Sequence, residues 1–566
     1  MRLGRVVALA LASRGAVLLA MAISDGLFPD HNPGDDVLRF PLSPCREQCN
    51  SHKGKTDDDA MDPPTVSQFC QPGQACERLF MDVPHLQHCE HSFLQEMYVF
   101  LLRPLTKWDS ARFLHLAIDP GRRIPQVTLA TNHYDDSDSV DSDKVDPFVA
   151  SEEAHAFFPM FPWLVRALSL VMIRHCPLWL LPCSYAGVSV LAAFLVNTMA
   201  FCVAAVALWD MTKRTMGQST TPESSEPCID DTVVWLFCCN PANVFFVAAY
   251  SESTFCCWTF VGYALFNRGQ WFVATLFWIM ASATRSNGTM VAGWLILYGL
   301  STALALCPLR QYQRLVCSVA AVVAMTVGVI MPALWHDQRG YSFHCLSDRQ
   351  LRPLWCNDGD GRKVRSVYAL VQQKHWNVGF FRYYELKQLP NFLLATPVFV
   401  YSYLAVRMWI MQSLERYRKK QDNKANGLNS LTFLLRWAIF ALKEAHPTKF
   451  AQAQTNKTNH AHSNYMDKRG VLVLLGAQHL GHYVVLAGVA LLGLIIAHVQ
   501  ISTRLICSTC PAVYWYMAYI SERNSTKDDQ HKQQRTWVLH KSTVLLYFVG
   551  FNIAGILLHP NFLPWT

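Results

Sequence analysis

The sequence is poor in charged residues for its length. Asp, Glu, Lys and Arg make up 16% of its 566 residues, well below the roughly 25% of typical soluble globular chains. Hydrophobic residues make up 51% and aromatic residues 12%, while the mean hydropathy is only +0.13. This balance excludes a disordered chain, a coiled coil and a small disulfide scaffold. It indicates a multi-pass membrane protein whose apolar blocks alternate with sizeable polar ones.

The sequence also lacks several familiar signatures of ligand binding. We find no Walker loop, dinucleotide fingerprint, zinc-protease helix or nucleophile elbow among the candidate site residues. The formal net charge is +8, but the basic residues gather beside apolar blocks, as in residues 416–420, and form no basic stripe. Such clusters mark the cytoplasmic flanks of membrane spans. We therefore expect no nucleic-acid partner.

The apolar blocks predict an all-α polytopic membrane protein with about eight to eleven transmembrane helices. The first block, residues 1–28, contains Arg14 and has no convincing cleavage site, so we interpret it as an uncleaved span with a cytoplasmic N-terminus. Further transmembrane helices are expected in residues 157–335 and 390–566, with two spans or a broken pair in residues 233–266. We detect no internal repeat.

Two large polar segments, residues 29–156 and 336–389, are expected on one luminal face, because the basic run after residue 412 marks the opposite side. Residues 503–541 are expected to form a further polar loop. The acidic run at residues 135–146 lacks the Gly and Glu of a calcium-binding loop, and we interpret it as a solvated insert.

Cysteines in the first polar segment fit a luminal placement. Disulfide bonds could form there among Cys45, Cys49, Cys70, Cys76 and Cys89. A neighbouring cluster has a crowded spacing that matches no established zinc pattern, so we expect no metal site at His85, His88, Cys89 and His91.

Charged side chains next to membrane spans are candidates for function, because they are costly unless they are paired or line a wet cavity. Asp109 follows Trp108 and is a candidate general base toward a hydroxyl group; it is also a candidate N-cap for a helix beginning at Ser110, which the spacing alone favours. Farther on, Glu152, Glu153 and His155 form a polar cluster. Such a cluster could bind a sugar or a phosphate, or it could be the ordinary polar end of a membrane helix.

Two later blocks add candidates for substrate binding. In the first, Glu252 and Arg285 lie in apolar surroundings with Asn287 nearby; they predict either a structural ion pair or a site in which the guanidinium holds a phosphate. The second block interleaves aromatic and charged residues, as a lipid headgroup or glycan site would, and as an interfacial aromatic belt also would. Its candidates are Trp376, Arg382, Glu385 and Lys387.

These blocks, in this order, resemble the PIG-V family, the second mannosyltransferase of glycosylphosphatidylinositol (GPI) anchor assembly. The similarity extends through Cys-Asn-Pro-Ala-Asn-Val-Phe-Phe at residues 239–246, Arg-Ser-Asn-Gly at residues 285–288 and Asn-Phe-Leu-Pro-Trp-Thr at residues 561–566. One departure concerns residues 119–150, where an acidic insert intervenes and the family's Gly-Tyr is absent; Glu152 best fits the family's acidic position.

The resemblance implies a GT-C-type glycosyltransferase of the endoplasmic reticulum membrane with large luminal loops. It would transfer an α1,6-linked mannose from dolichyl-phosphate mannose to a GPI-anchor lipid intermediate, without a further cofactor. Asp109 matches the acidic base that such enzymes carry in their first luminal loop, and Arg285, Arg382 or Lys387 would stabilise the phosphate. A small accessory membrane subunit is an additional candidate partner.

Two other functions remain open from the residues alone. A polytopic transporter would also carry charges between its spans, and a non-catalytic subunit of a glycan-assembly complex would share the family's helices. Loss of the acidic residue at position 109 would have favoured the second alternative, but Asp109 is present.

Overall fold

The structure, a computed structural model, describes residues 2–31, 93–118, 151–182, 184–216, 229–309, 311–346, 356, 366–420, 430–444, 479–523 and 541–563. These residues form helices and turns and contain no β-strand. The predicted acidic insert, the five cysteines of the first polar segment and the cluster of His85, His88, Cys89 and His91 lie outside the described residues.

The first half of the chain contributes two long helices, the first and the fifth, and a series of shorter ones. In chain order these are α1 (Leu3–Leu27), α2 (Phe93–Leu102), α3 (Asp109–Ile118), α4 (Met160–His175), α5 (Tyr185–Met216), α6 (Ile229–Cys238), α7 (Glu252–Asn267), α8 (Trp271–Thr284) and α9 (Ala292–Leu306).

The second half begins with a long helix and ends with one that packs against α1. Its helices are α10 (Tyr312–Cys345), α11 (Val367–Trp376), α12 (Leu389–Lys420), α13 (Ser430–Glu444), α14 (Leu480–Ile495), α15 (Ser502–Thr509), α16 (Pro511–Arg523) and α17 (Lys541–Leu558).

Several of these helices are long and apolar enough to cross a membrane. In the described part of the chain, five helical segments meet that condition by length and composition, and three shorter apolar helices accompany them. A helix rises 1.5 Å per residue, so about 20 residues span the hydrocarbon core. The expectation of an all-α polytopic membrane protein is therefore confirmed.

The apolar block at residues 233–266 is a broken pair, α6 and α7, as one of the two predicted arrangements has it. Pro241 follows the end of α6 and cannot donate a backbone hydrogen bond. The freed carbonyls at the break are satisfied by side chains: Arg14 donates to the oxygen of Cys238 at 3.2 Å, and Asn552 to that of Cys239 at 2.6 Å. Irregular backbone at membrane depth requires such internal partners.

Arg14 therefore has a structural explanation in this fold. Its side chain is fully buried in the bundle, and its guanidinium lies 3.7 Å from the centroid of the Phe201 ring. The same guanidinium also contacts the side chain of Asn243. The charge that interrupts the first apolar block thus fastens α1 to the broken helix pair.

Two segments expected to be polar loops contain helices. Residues 336–345, which are expected in the second polar segment, continue α10 as far as Cys345. The helix therefore extends beyond its apolar stretch. Residues 503–523, assigned to a polar loop, form most of α15 and all of α16. The reason is burial: Arg504 and the hydroxyl groups of α15 are enclosed in the bundle, so polarity there does not indicate solvent exposure.

One end of the helix bundle collects the elements that carry the candidate site residues. They are the start of α3, the 3-10 turn at Glu153–Ala156, the start of α7, the end of α8, α11 and α15. At this end a disulfide bond joins Cys345 to Cys356, with Cα atoms 5.6 Å apart. At the other end of α12 lie Arg418, Lys419 and Lys420.

Candidate active site

Glu252 lies at the centre of the candidate site. It is the first residue of α7, directly after the break that follows α6, and its side chain is completely buried. Its Oε1 accepts from Arg285 Nη1 at 2.7 Å and from Arg504 Nε at 2.7 Å. Its Oε2 has no hydrogen-bond partner among the described residues. Glu252 and Arg285 thus form an ion pair, one of the two arrangements considered from the sequence, and a second arginine joins it.

Arg285 is presented by a second helix break. It follows α8 in an extended conformation, with φ −153°, and its guanidinium also donates to Ser251 at 3.2 Å and to Asn287 Oδ1 at 3.4 Å. Asn287 in turn donates to Thr509 of α15 at 3.2 Å. The candidate Asn287 is therefore a bridge between the turn that carries Arg285 and the helix that carries Arg504.

Gly288 is needed for this turn to form. A Cβ atom at that position would lie 2.6 Å from the backbone of Ala281 and Ser282, closer than real Cβ contacts come. The Arg-Ser-Asn-Gly sequence therefore folds back tightly onto the end of α8. This close approach fixes where the Arg285 side chain begins.

Arg504 is the site residue that the sequence analysis missed. Its guanidinium lies 4.3 Å from the ring centroid of Phe245 and 4.7 Å from that of Tyr250. The available signal was a single arginine beside apolar residues of the segment Ile501–Cys507. A buried arginine is costly unless its guanidinium is paired, and in the structure the partner is Glu252, the carboxylate that the sequence analysis grouped with Arg285.

Tyr250 connects this arginine pair to Asp109. The phenol oxygen accepts a hydrogen bond from the backbone N–H of Asp109 at 3.2 Å, while the ring lies under Arg504. Tyr250 is itself buried. Asp109 and the Glu252–Arg285 group therefore meet at one tyrosine, although 141 positions separate Asp109 from it.

Asp109 is the first residue of α3 rather than a cap before Ser110. Its carboxylate, one-third exposed, lies 3.2 Å from Arg112 Nη1. Arg112 also donates from Nε to Glu153 at 2.7 Å, so one guanidinium bridges two carboxylates. Burial lowers the pKa of Arg112, but the nearby carboxylates of Asp109 and Glu153 outweigh it and raise that pKa above its ordinary value.

The segment of Glu152 and Glu153, together with Trp376, adjoins this bridge. The rings of Phe157 and Trp376 are 6.0 Å apart, and the Arg112 guanidinium lies 5.9 Å from the Trp376 ring. Glu152 points to α11 instead, where it pairs with Lys374 and lies 3.2 Å from His375 Nε2. Glu153 and Trp376 thus share the Arg112 guanidinium with Asp109. Glu152 instead contacts the side chains of α11.

His155 has a packing role in the structure. Its ring stacks on that of His336 at 4.3 Å, and the Nε2 atom of each ring lies within hydrogen-bond distance of the other residue's carbonyl oxygen, at 2.7 Å and 2.9 Å. His155 therefore docks the turn at Glu153–Ala156 onto α10.

The candidates Arg382, Glu385 and Lys387 lie apart from this network. Lys387 Nζ pairs with Glu385 at 2.5 Å, and both side chains are largely exposed. The guanidinium of Arg382 lies beside the side-chain amide of Gln373. Backbone hydrogen bonds tie their segment to the end of α14, as from Phe381 N to Ile495 O. Within the described part of the chain, no grouping of three His, Cys, Asp or Glu residues could hold a metal ion.

Comparisons with known proteins agree with this arrangement of motifs. The sequence model of the family described as Mannosyltransferase (PIG-V) matches residues 149–566. The GPI alpha-1,6-mannosyltransferase 2 of Cricetulus griseus is 29% identical over 475 residues, which cover 73% of this chain and 84% of that protein. The protein of the same name from Homo sapiens is 29% identical over 481 residues, with the same coverage.

A more distant relative covers the whole chain, including the region around Asp109 that precedes the family match. The GPI mannosyltransferase 2 of Drosophila pseudoobscura pseudoobscura is 24% identical over 600 residues and spans 99% of both chains. No solved structure matches the chain significantly. Because the family model covers most of its length, the chain belongs to the mannosyltransferase (PIG-V) family.

Proposed function

We propose that this chain transfers a mannosyl residue, in α1,6 linkage, from dolichyl-phosphate mannose to the first mannose of a GPI-anchor intermediate. Family membership supports the reaction class, and the names of the relatives support the acceptor and the linkage. The observation that carries the proposal is a site with two oppositely charged ends.

The acidic end comprises Asp109, Glu153 and Arg112, two carboxylates that share one guanidinium. Counting formal charges, two negative groups and one positive group leave this end with a net charge of about −1. The cost of deprotonating an acceptor hydroxyl falls when a carboxylate lies within hydrogen-bond reach of it. Asp109, one-third exposed, is the carboxylate that a bound sugar could reach.

The cationic end comprises Glu252, Arg285 and Arg504, two guanidiniums that share one carboxylate oxygen. By the same counting, this end has a net charge of about +1, which a phosphodiester anion would balance. Planar guanidiniums match phosphate oxygens well. Arg285, the more exposed of the two arginines, is the better placed to contact the donor.

The reaction would be one inverting displacement. Asp109 accepts the proton of the acceptor 6-hydroxyl, and the resulting oxygen attacks the anomeric carbon of the donor mannose. The bond from that carbon to the phosphate oxygen breaks, and its electron pair leaves with dolichyl phosphate. Negative charge on the leaving phosphate grows during this step, so the cationic end stabilises the transition state more than the bound donor.

The proposed location is the endoplasmic reticulum membrane, with the site on the luminal face. The disulfide between Cys345 and Cys356 lies at the site's end of the bundle, and such bonds persist in oxidising compartments. The basic residues at the opposite end of α12 are typical of a cytoplasmic flank. A small accessory membrane subunit remains part of the proposal.

The test is mannose transfer by microsomes from cells that lack their own enzyme and express this chain. Labelled dolichyl-phosphate mannose and a GPI lipid bearing one mannose are supplied as donor and acceptor. The proposal predicts a two-mannose product with an α1,6 bond and release of one dolichyl phosphate per product. A transporter would leave the acceptor unextended, and an unextended acceptor would therefore overturn the proposal.

A further inference from the structure

Two bulky residues with left-handed backbone conformations touch each other beside Asp109. Trp108 has φ 59° and Phe562 has φ 55°, and their ring centroids are 5.7 Å apart. Such conformations are unfavourable for residues with a Cβ atom and persist only where surrounding contacts enforce them. Each of these residues therefore needs contacts that hold its conformation, and the two rings supply such a contact to each other.

Lys107 fastens the chain immediately before Trp108. Its ammonium group lies 4.6 Å from the centroid of the Phe562 ring and pairs with Asp25 at 3.2 Å and Asp30 at 2.9 Å. Lys107 is buried. The loop that leads into α3 is thus held between the end of α1 on one side and Phe562 on the other.

The segment around Phe562 is itself firmly held. Asn561 is buried; it donates to Ser24 Oγ at 3.0 Å, and its carbonyl accepts from the backbone N–H of His31 at 3.0 Å. The ring of His559 contacts Phe245 at 5.3 Å and Tyr250 at 5.8 Å. Residues 559–562 therefore reach both Trp108 and Tyr250, the acceptor of the Asp109 N–H.

We propose that residues 559–562, which we call the C-terminal clamp, position Asp109 by holding Trp108 in its left-handed conformation. Rotation of Trp108 out of that conformation would redirect the first turn of α3 and move the Asp109 carboxylate. The clamp touches the base through Trp108 and Tyr250 and is not itself a catalytic group. This inference rests on the proposed function, because it takes Asp109 to be the base.

The test compares three substitutions of Phe562 in the microsomal transfer assay. Phe562→Tyr keeps the ring, Phe562→Ala removes it, and Phe562→Gly removes it while tolerating a positive φ. The clamp predicts that Tyr retains activity while both Ala and Gly lower kcat by about 10- to 100-fold, since misplacement by 1 Å can cost that much. KM for the donor should stay unchanged, because the cationic end is intact.

Leu557→Ala is the matched control, because Leu557 is 40% exposed near the end of α17, just before the clamp, and the substitution should leave kcat unchanged. Hydrogen exchange at residues 103–118 should become faster in Phe562→Ala and stay slow in Leu557→Ala. If Phe562→Ala does not accumulate, Phe562→Leu, which lacks the ring but stays apolar, replaces it.

Two results would overturn the clamp proposal, and a third would bear on the proposed function instead. Wild-type kcat in the ring-less variants, or an equal loss in Phe562→Tyr, would contradict a role for the ring in positioning Asp109. An inactive wild-type chain would instead refute the proposed function, and hydrogen exchange at residues 103–118 would still decide whether the clamp holds the loop.

Discussion

Glu252 and Arg504 lie 252 positions apart in the chain, yet Oε1 of Glu252 accepts a hydrogen bond from Nε of Arg504 at 2.7 Å. The same oxygen receives Arg285 at 2.7 Å. One buried carboxylate therefore holds together the start of α7, the end of α8 and α15. This relationship leads to predictions about the stability of the protein and about how the site binds the donor phosphate.

Removing Glu252 should destabilise the protein more than removing Arg504. Glu252→Leu leaves two buried guanidiniums without their carboxylate, and breaking a buried pair costs about 3–5 kcal/mol. Arg504→Met leaves Glu252 still paired with Arg285, so its loss should be smaller. Thermal unfolding of the detergent-solubilised protein measures both, and an equal or reversed order would show that the carboxylate is not the common anchor.

Arg285→Lys should weaken transfer while preserving charge. Lysine cannot offer two parallel donors to a phosphate, and a hydrogen bond to a charged group contributes about 1.5–3 kcal/mol. We expect kcat/KM for the donor to fall by about 10- to 100-fold in the microsomal assay. The matched control is Arg268→Lys at the far end of α7, where Arg268 pairs with Asp210 at 2.9 Å. A similar loss in both variants would contradict a specific role for Arg285.

Gly288→Ala should lower both stability and activity. The added Cβ would lie 2.6 Å from backbone atoms of α8, and relieving that contact must shift the turn that carries Arg285. Overpacking of this kind typically costs about 1–3 kcal/mol. Gly293→Ala is the control, because a Cβ there meets nothing within 4 Å. Wild-type unfolding temperature and transfer rate in Gly288→Ala would show that the turn is not tightly fixed.

Several parts of the site could be predicted from the sequence because a charge in an apolar block requires a partner. Glu252 and Arg285 stand in such blocks, and their pairing follows from the cost of burying either alone. The break between α6 and α7 follows from Pro241 for a similar reason, since proline removes a backbone donor.

Other parts could not be predicted because they depend on tertiary contacts. Residues 503–509 contain an arginine and several hydroxyl groups, which suggest a loop, but the bundle encloses Arg504 and pairs it with Glu252. The contact between Trp108 and Phe562 joins distant parts of the chain, and no local pattern specifies a left-handed tryptophan. Arg382, Glu385 and Lys387 are candidates by residue type alone, and residue type does not distinguish a binding site from an exposed surface segment.

The most direct test of the account is the transfer rate of Asp109→Asn in microsomes that lack endogenous enzyme. The substitution keeps the side-chain shape but removes the base, whose contribution is typically about 10²- to 10⁴-fold. Asp210→Asn, which alters a carboxylate paired with Arg214 and Arg268, is the control. We predict a fall of that size in kcat for Asp109→Asn, with normal protein levels and an unchanged donor KM. A wild-type rate in Asp109→Asn would contradict the assignment of Asp109 as the catalytic base.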